Sequence, residues 1–298
     1  MNHKNSRIPP VFHSKDFQKK LDTFIDLALK EDIGERDHTS FACIPAHIKA
    51  EGRLLVKTDG VIAGIEVAQR IFKKLDKKTT FDLFVKDGDE VKKGDIAFMV
   101  DGNARMLHTG ERLALNIMQR MSGIATMAHR YTKLCEGTNA KILDTRKTTP
   151  GIRLLEKWAV SLGGATNHRW GLYDMILIKD NHIHCSGGVK NAIKNTKAYL
   201  EKAKKKLAIE IEVSNFDELN EVLEIGGVQR ILLDNFTPAN ISKALKIIDG
   251  KYKTEASGGI TESTVRKYAL TGVDYISVGA LTHSVQSLDL SLKIYPLE

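Results

Sequence analysis

The chain has 298 residues, 42% of them apolar and 28% charged, which excludes a disordered polymer and supplies the length for one large domain or two unequal ones. Its formal charge of +8 admits nucleic acid, anionic surfaces or acidic small molecules. Much of that charge lies in lysine runs on helix ends and solvated faces, such as Lys73-Lys74, Lys77-Lys78 and 202–206, without interleaved aromatic residues, so a nucleic-acid partner is not expected. No apolar run reaches ~18 residues and residues 1–15 lack the apolar core of a signal peptide, so neither a membrane nor an export route is expected. Three scattered cysteines, Cys43, Cys135 and Cys185, fit free thiols in a cytoplasmic protein.

Helical spacing of Phe17, Leu21, Phe24, Ile25, Ala28 and Leu29, with Ser14 placed to cap and Gly34 to stop, predicts a first amphipathic helix. Short apolar or alternating runs at 53–57, 81–85 and 96–100 predict strands, with a helix over 67–75. Two Gly-Asp turns around a short strand within 85–95 give the pattern of hairpins. A long helical pattern over 111–134 carries Leu113, Leu115, Ile117, Met118 and Met121, loosened at Ser122-Gly123.

Beyond it, strand-like runs at 141–144, 175–178, 208–213, 230–234, 254–257 and 275–278 alternate with helix-length stretches including 188–206, 217–225, 238–248 and 262–270. This rhythm predicts an α/β fold with a parallel sheet and helices outside it. The remaining length falls short of the ~250 residues of a complete eightfold barrel, so an open, incomplete α/β barrel is expected. The expected domains are a small N-terminal one over 1–111, completed by the tail 287–298, and the barrel over 112–286.

In barrels, chemistry gathers at the C-terminal ends of the strands, and those positions are unusually polar. They read Asp144-Thr145-Arg146-Lys147-Thr148-Thr149-Pro150-Gly151, Asn167-His168-Arg169, Lys179-Asp180-Asn181-His182, Glu210 and Glu212, Asp234-Asn235, Ser257-Gly258-Gly259, and Gly279-Ala280. A single charged residue after a strand is ordinary loop chemistry, but a fold that brings six such strand ends, and the segment 167–169 with them, to one mouth makes a cationic site. Glu210 and Glu212 share a face of one strand: Glu210 reads as a buried structural partner, Glu212 as the site candidate. The glycine loops after the last two strands, with Thr261 or Glu262 expected to open a helix, read as a phosphate cradle.

These segments, together with Glu111-Arg112, Ala114-Leu115-Asn116, Ser122-Gly123-Ile124-Ala125-Thr126, Gly163-Gly164 and Leu233-Asp234-Asn235-Phe236, closely resemble the quinolinate phosphoribosyltransferase family, also called nicotinate-nucleotide pyrophosphorylase (carboxylating). The resemblance implies an N-terminal α/β sandwich and an open seven-stranded barrel. It implies conversion of quinolinate and phosphoribosyl pyrophosphate to nicotinate mononucleotide, carbon dioxide and pyrophosphate, with magnesium, in NAD biosynthesis. Carried over residue by residue, Arg146, His168, Arg169 and Lys179 hold the quinolinate carboxylates, with Thr145 beside them, and Lys147 faces the pyrophosphate. Glu212 and Asp234 stand at the ribose and magnesium. Ser257, Gly258, Gly259, Gly279 and Ala280 bind phosphate. The resemblance further implies a homodimer or hexamer in which Arg112 crosses between subunits. Two other reactions suit this scaffold: transfer to a monocarboxylate such as nicotinate, and Schiff-base chemistry on Lys179.

Overall fold

The computed structural model describes residues 9–297, which divide into two compact units, one formed by 9–129, 149–164 and 284–297 and the other by 130–148 and 165–283. Against the expected domains, 1–111 with the tail 287–298 and 112–286, the division likewise joins the C-terminal stretch to the first unit but lies further along the chain. Most of the long helix and a stretch within the first crossover belong to the first unit.

In the first unit, Ser14 caps α1 (Lys15–Ile33) by accepting from Phe17 N, and Gly34 ends it with φ of 59°. The helix buries Phe17, Leu21 and Ile25, and Phe12 and Phe17 pack with Trp158 at ring separations of 5.9 and 5.5 Å. After α2 (His38–Cys43), the strands β1 (Lys49–Val56), β3 (Thr80–Leu83) and β5 (Ile96–Asn103) form an antiparallel sheet completed by the last strand of the chain, in the order last-β1-β5-β3. Alternate residues of β1 are buried, so one face lies on a core shared with α3 (Ile65–Leu75).

The 85–95 segment departs from the expected hairpins. Its short strand β4 (Glu90–Val91) pairs instead with β2 (Gly60–Val61), and Asp89 and Asp95 close the flanking turns by accepting from Lys86 N and Lys92 N at 2.8 Å. Helix α4 (Ala104–Leu134) runs without interruption, against the expected loosening at Ser122-Gly123. Gly123 admits the Gln286 carbonyl, where a Cβ would collide, and Ser122 Oγ accepts from Ala63 N and donates to Ala63 O, at 2.9 and 3.1 Å.

The second unit is the barrel layer. Strands β6 (Lys141–Leu143), β7 (Ile176–Ile178), β8 (Ile209–Val213), β9 (Arg230–Asp234), β10 (Lys253–Ser257) and β11 (Tyr275–Ser277) form one parallel sheet in the order β6-β11-β10-β9-β8-β7. Among the described residues six strands are joined where seven are implied. The place beyond β6 holds only an isolated parallel bridge, Leu143 to Thr166, so the barrel is open.

Helix α5 (Arg153–Leu162) belongs to the first unit. In the second follow α6 (Asp180–Ser186), α7 (Val189–Lys202), α8 (Phe216–Ile225), α9 (Pro238–Ile248), α10 (Val265–Ala269) and α11 (Ala280–His283). The closing strand of the first unit's sheet is β12 (Leu290–Pro296). Among the described residues no helix is long and apolar enough to cross a membrane.

Candidate active site

The strand ends of the second unit surround a cavity of about 820 Å³. Thr145, Arg146, Lys147, His168, Arg169, Lys179, Glu212, Asp234, Ser257, Gly258, Gly259, Gly279 and Ala280 all line it. Arg112 does not: it stands exposed on α4 in the first unit, without a hydrogen bond or ion pair among the described residues.

After β6, Asp144 is fully buried and accepts from Asn167 Nδ2 and His168 N, both at 2.7 Å. It therefore fastens this loop to the next rather than presenting charge to a ligand. Lys147 has its backbone pinned, its N–H donating to Thr145 Oγ1 at 3.0 Å and its carbonyl accepting from Thr282 Oγ1 at 2.8 Å. The side chains of Arg146 and Lys147 make no hydrogen bond or ion pair among the described residues. Half-buried Arg169 donates from Nη1 to Met175 O at 3.2 Å, and burial together with the nearby Arg146 charge holds its pKa below the ordinary guanidinium value. An anion beside these two cations relieves both effects.

Lys179 follows β7, as the residue capping α6, and its Nζ donates to Glu212 Oε2 at 2.6 Å. Asp234 ends β9 and accepts from Asn235 Nδ2 at 2.6 Å, while Asn235 N donates to Ser257 O at 2.9 Å. Asn235 adopts a left-handed φ of 57°, and Gly258, at φ of 102°, stands where a Cβ would strike the Asn235 side chain. The expected helix opening at Thr261 or Glu262 is corrected: a turn precedes α10, which begins at Val265 and has 5 residues. Thr261 spends its N–H on Thr264 Oγ1 at 2.9 Å, so that N–H is not offered to the cavity.

Beneath the cavity lies a charged floor. Each of β8 and β10 places two inward residues in succession, Glu210 then Glu212 and Glu255 then Ser257, with Arg230 opposite Glu210 on β9. His168 Nε2 is 3.0 Å from Glu210 Oε2 and 3.3 Å from Glu255 Oε2. Arg230 Nη1 is 2.9 Å from Glu255 Oε2 and 3.8 Å from Glu210 Oε2, and its guanidinium stacks 4.2 Å over Tyr275.

Burial and the charge of Glu255 push the Glu210 carboxyl up to about 7. Neither Glu210 oxygen receives an aligned hydrogen bond, which favours the protonated form. Burial also opposes ionisation of Glu255, but its contacts with His168, Glu210 and Arg230 lower its pKa and make it the ionised partner. His168, Glu210 and Glu255 have donor atoms close enough to share a metal. Arg230 already occupies the carboxylates, so a divalent cation would face a guanidinium.

No motif in the sequence marks Glu255 and Arg230 as functional residues. The strand period exposes them, since Glu255 is two before Ser257 and Arg230 four before Asp234. His283, which also lines the cavity, carries no comparable signal.

An open parallel barrel whose strand ends offer cations and paired glycine loops is the framework of an enzyme acting on phosphorylated, anionic substrates. Family models describing the N-terminal and C-terminal domains of quinolinate phosphoribosyl transferase match residues 37–122 and 124–293. The chain belongs to the quinolinate phosphoribosyltransferase family.

It is 43% identical over 312 residues to quinolinate phosphoribosyltransferase (decarboxylating) 2, mitochondrial, of Nicotiana glauca, covering 98% of this chain and 87% of that one. It is 42% identical over 264 residues to a probable nicotinate-nucleotide pyrophosphorylase (carboxylating) of Bacillus subtilis, covering 89% and 90%. The crystal structure of NadC from Streptococcus pyogenes matches with a TM-score of 0.89 at 38% identity, over 99% of this chain and 100% of that one.

Proposed function

We propose that the cavity joins quinolinate to the ribose of phosphoribosyl pyrophosphate, giving nicotinate mononucleotide, carbon dioxide and pyrophosphate. The observation that carries this reading is the excess of cations at the cavity wall. Among the described residues Arg146, Lys147 and Arg169 make no carboxylate ion pair and Lys179 pairs with Glu212, which suits a dicarboxylate beside a pyrophosphate better than one monocarboxylate.

The ring nitrogen attacks the anomeric carbon as the bond to pyrophosphate breaks, and Lys147 opposes the charge growing on the departing oxygen. The ring nitrogen becomes positive and accepts the electron pair released when the adjacent carboxylate leaves as carbon dioxide. A proton then takes that position, and no carbonyl cofactor is required. Lys179, as an ammonium on Glu212, acts as a carboxylate holder in this reading, not as a Schiff-base nucleophile.

Glu212 and Asp234 would hold a magnesium ion, since each offers one carboxylate to the cavity, that of Glu212 being shared with Lys179. Bound there, magnesium would supply charge neutralisation at the leaving group. A homodimer or hexamer belongs to the same reading, in which the partner subunit's Arg112 completes the site; so does a cytoplasmic location, in keeping with three free cysteines.

Incubation with carboxyl-labelled quinolinate and phosphoribosyl pyrophosphate should release labelled carbon dioxide in step with pyrophosphate. Turnover of nicotinate without carbon dioxide would replace this reading with the monocarboxylate one.

A further inference from the structure

The family resemblance makes His168 a direct ligand of the substrate carboxylate, but its surroundings point to another task. We propose that His168 is a positioning residue, held as the neutral Nε2–H tautomer, whose Nδ1 fixes the Arg169 backbone and thereby aims the Arg169 guanidinium at the substrate. The identity of that substrate rests on the quinolinate reading; the tautomer does not.

Both ring nitrogens are engaged. Nδ1 accepts from Arg169 N at 2.7 Å, a contact that needs the nitrogen's lone pair and leaves no room there for a proton. Nε2 faces inward, 3.0 and 3.3 Å from oxygens of Glu210 and Glu255, where only a donor is favourable. The side chain is 6% exposed, so neither nitrogen is available to a ligand without breaking one of these contacts.

Electrostatics pull the other way. Burial lowers the basicity of the ring, but Glu210 and Glu255 more than restore it, raising its pKa to about 9. A second proton has only Nδ1 to occupy, however, and there it would oppose the Arg169 N–H. The geometry decides for the neutral ring because the floor already has a cation, Arg230, at 2.9 Å from Glu255.

The consequence for Arg169 follows from the chain around it. Immediately after it the backbone enters a tight turn in which Asp174 accepts from Trp170 N and Gly171 N at 2.8 and 2.9 Å. The guanidinium is tied back to Met175 O. The Nδ1 contact is thus the anchor on the other side of Arg169, and through Nε2 it transmits the rigidity of the floor to the mouth. Substrate carboxylates are then read by Arg146, Arg169 and Lys179.

Two isosteric variants separate this role from direct binding. His168→Asn keeps an acceptor near the Nδ1 position, whereas His168→Gln carries its amide toward the Nε2 position and leaves Arg169 N–H without its acceptor. The expected result is a rise in quinolinate KM of about tenfold for His168→Gln, with partial recovery in His168→Asn. The KM for phosphoribosyl pyrophosphate and kcat should change little in either.

Nitrogen-15 NMR of histidine-labelled wild-type enzyme, with the His168 signals identified by their loss in His168→Gln, reads the tautomer directly. Nδ1 should resonate as an unprotonated, acceptor nitrogen both before and after quinolinate is added. A protonated Nδ1 in either state, or equal loss of quinolinate affinity in the two variants, would overturn the proposal. Absence of any quinolinate turnover by the wild type would sink the functional reading while leaving the NMR result to stand.

Discussion

The same strands of the barrel carry two layers of charge with opposite character. In the floor, Glu210, Glu255, Arg230 and His168 contact one another within 3.8 Å. One residue pair further along, Glu212, Asp234, Lys179, Arg169, Arg146 and Lys147 meet a cavity and keep cationic charge in excess. A step of two residues along β8 moves a glutamate from a closed network to an open one. Ionisable residues on an inward face are therefore not a site by themselves; what marks the site is charge that the protein leaves uncompensated.

Substitutions should separate the layers by what they damage. The largest effect is expected from Glu255→Ala, which strands Arg230 and His168 in the interior. It should lower unfolding free energy by about 3–5 kcal/mol, measured by urea denaturation; an unchanged midpoint would show that the floor is not a coupled network. Lys147→Ala in the mouth should reduce kcat by about 10²–10³ with an unfolding midpoint close to that of the wild type. Arg169→Ala should raise quinolinate KM by roughly ten- to hundredfold with a smaller effect on kcat. A loss confined to kcat would contradict the assignment of Arg169 to substrate binding.

A smaller effect concerns pH. Folding raises the Glu210 pKa from 4.5 to about 7, so the folded chain binds this proton more tightly than the unfolded chain. The resulting stability is fully present below 4.5 and is lost as pH rises through about 7. Glu210→Gln, neutral throughout, should flatten this part of a thermal-stability profile against pH; a slope identical to wild type would assign it elsewhere. The smallest effect belongs to exposed Lys253, 2.6 Å from half-buried Asp274, which Thr254 N and Oγ1 also hold, so Lys253→Ala should leave both the urea midpoint and quinolinate KM unchanged.

Much of the barrel is legible in the sequence because its strands are continuous apolar runs separated by amphipathic helices. Helix α5 escapes such reading for a physical reason. Leu155 to Leu162 are all buried, Glu156 and Lys157 included, so no polar face betrays the helical period. Glu156 is instead satisfied locally by Arg120, Thr149 N and Thr149 Oγ1 at 2.8–2.9 Å. Gly123 suggests a weak point in α4 because local propensity penalises glycine, while its reason, close approach of the Gln286 carbonyl, lies more than 160 residues away in the chain.

In the site, alternation along β8 separates Glu210 from Glu212 in advance, and the motifs find the mouth residues. The engagement of His168 is different. Its sequence neighbours announce a cationic triplet, and only the placement of Glu210, Glu255 and the Arg169 N–H around the ring reveals that both nitrogens are occupied.

Strand β12 bears on how the molecule can be made. Its pairing with β1 joins Leu290–Pro296 to residues 50–56, so the first sheet to be synthesised is the last to be completed. While a ribosome is still adding the intervening chain, β1 has a bare edge, the kind of surface on which strands from other chains can dock. The barrel unit, drawn from 130–148 and 165–283, has all its strands available before that edge is covered. Vectorial synthesis thus favours folding the catalytic layer first and sealing the N-terminal sheet at the end, which leaves a window in which chaperones or self-association compete for β1.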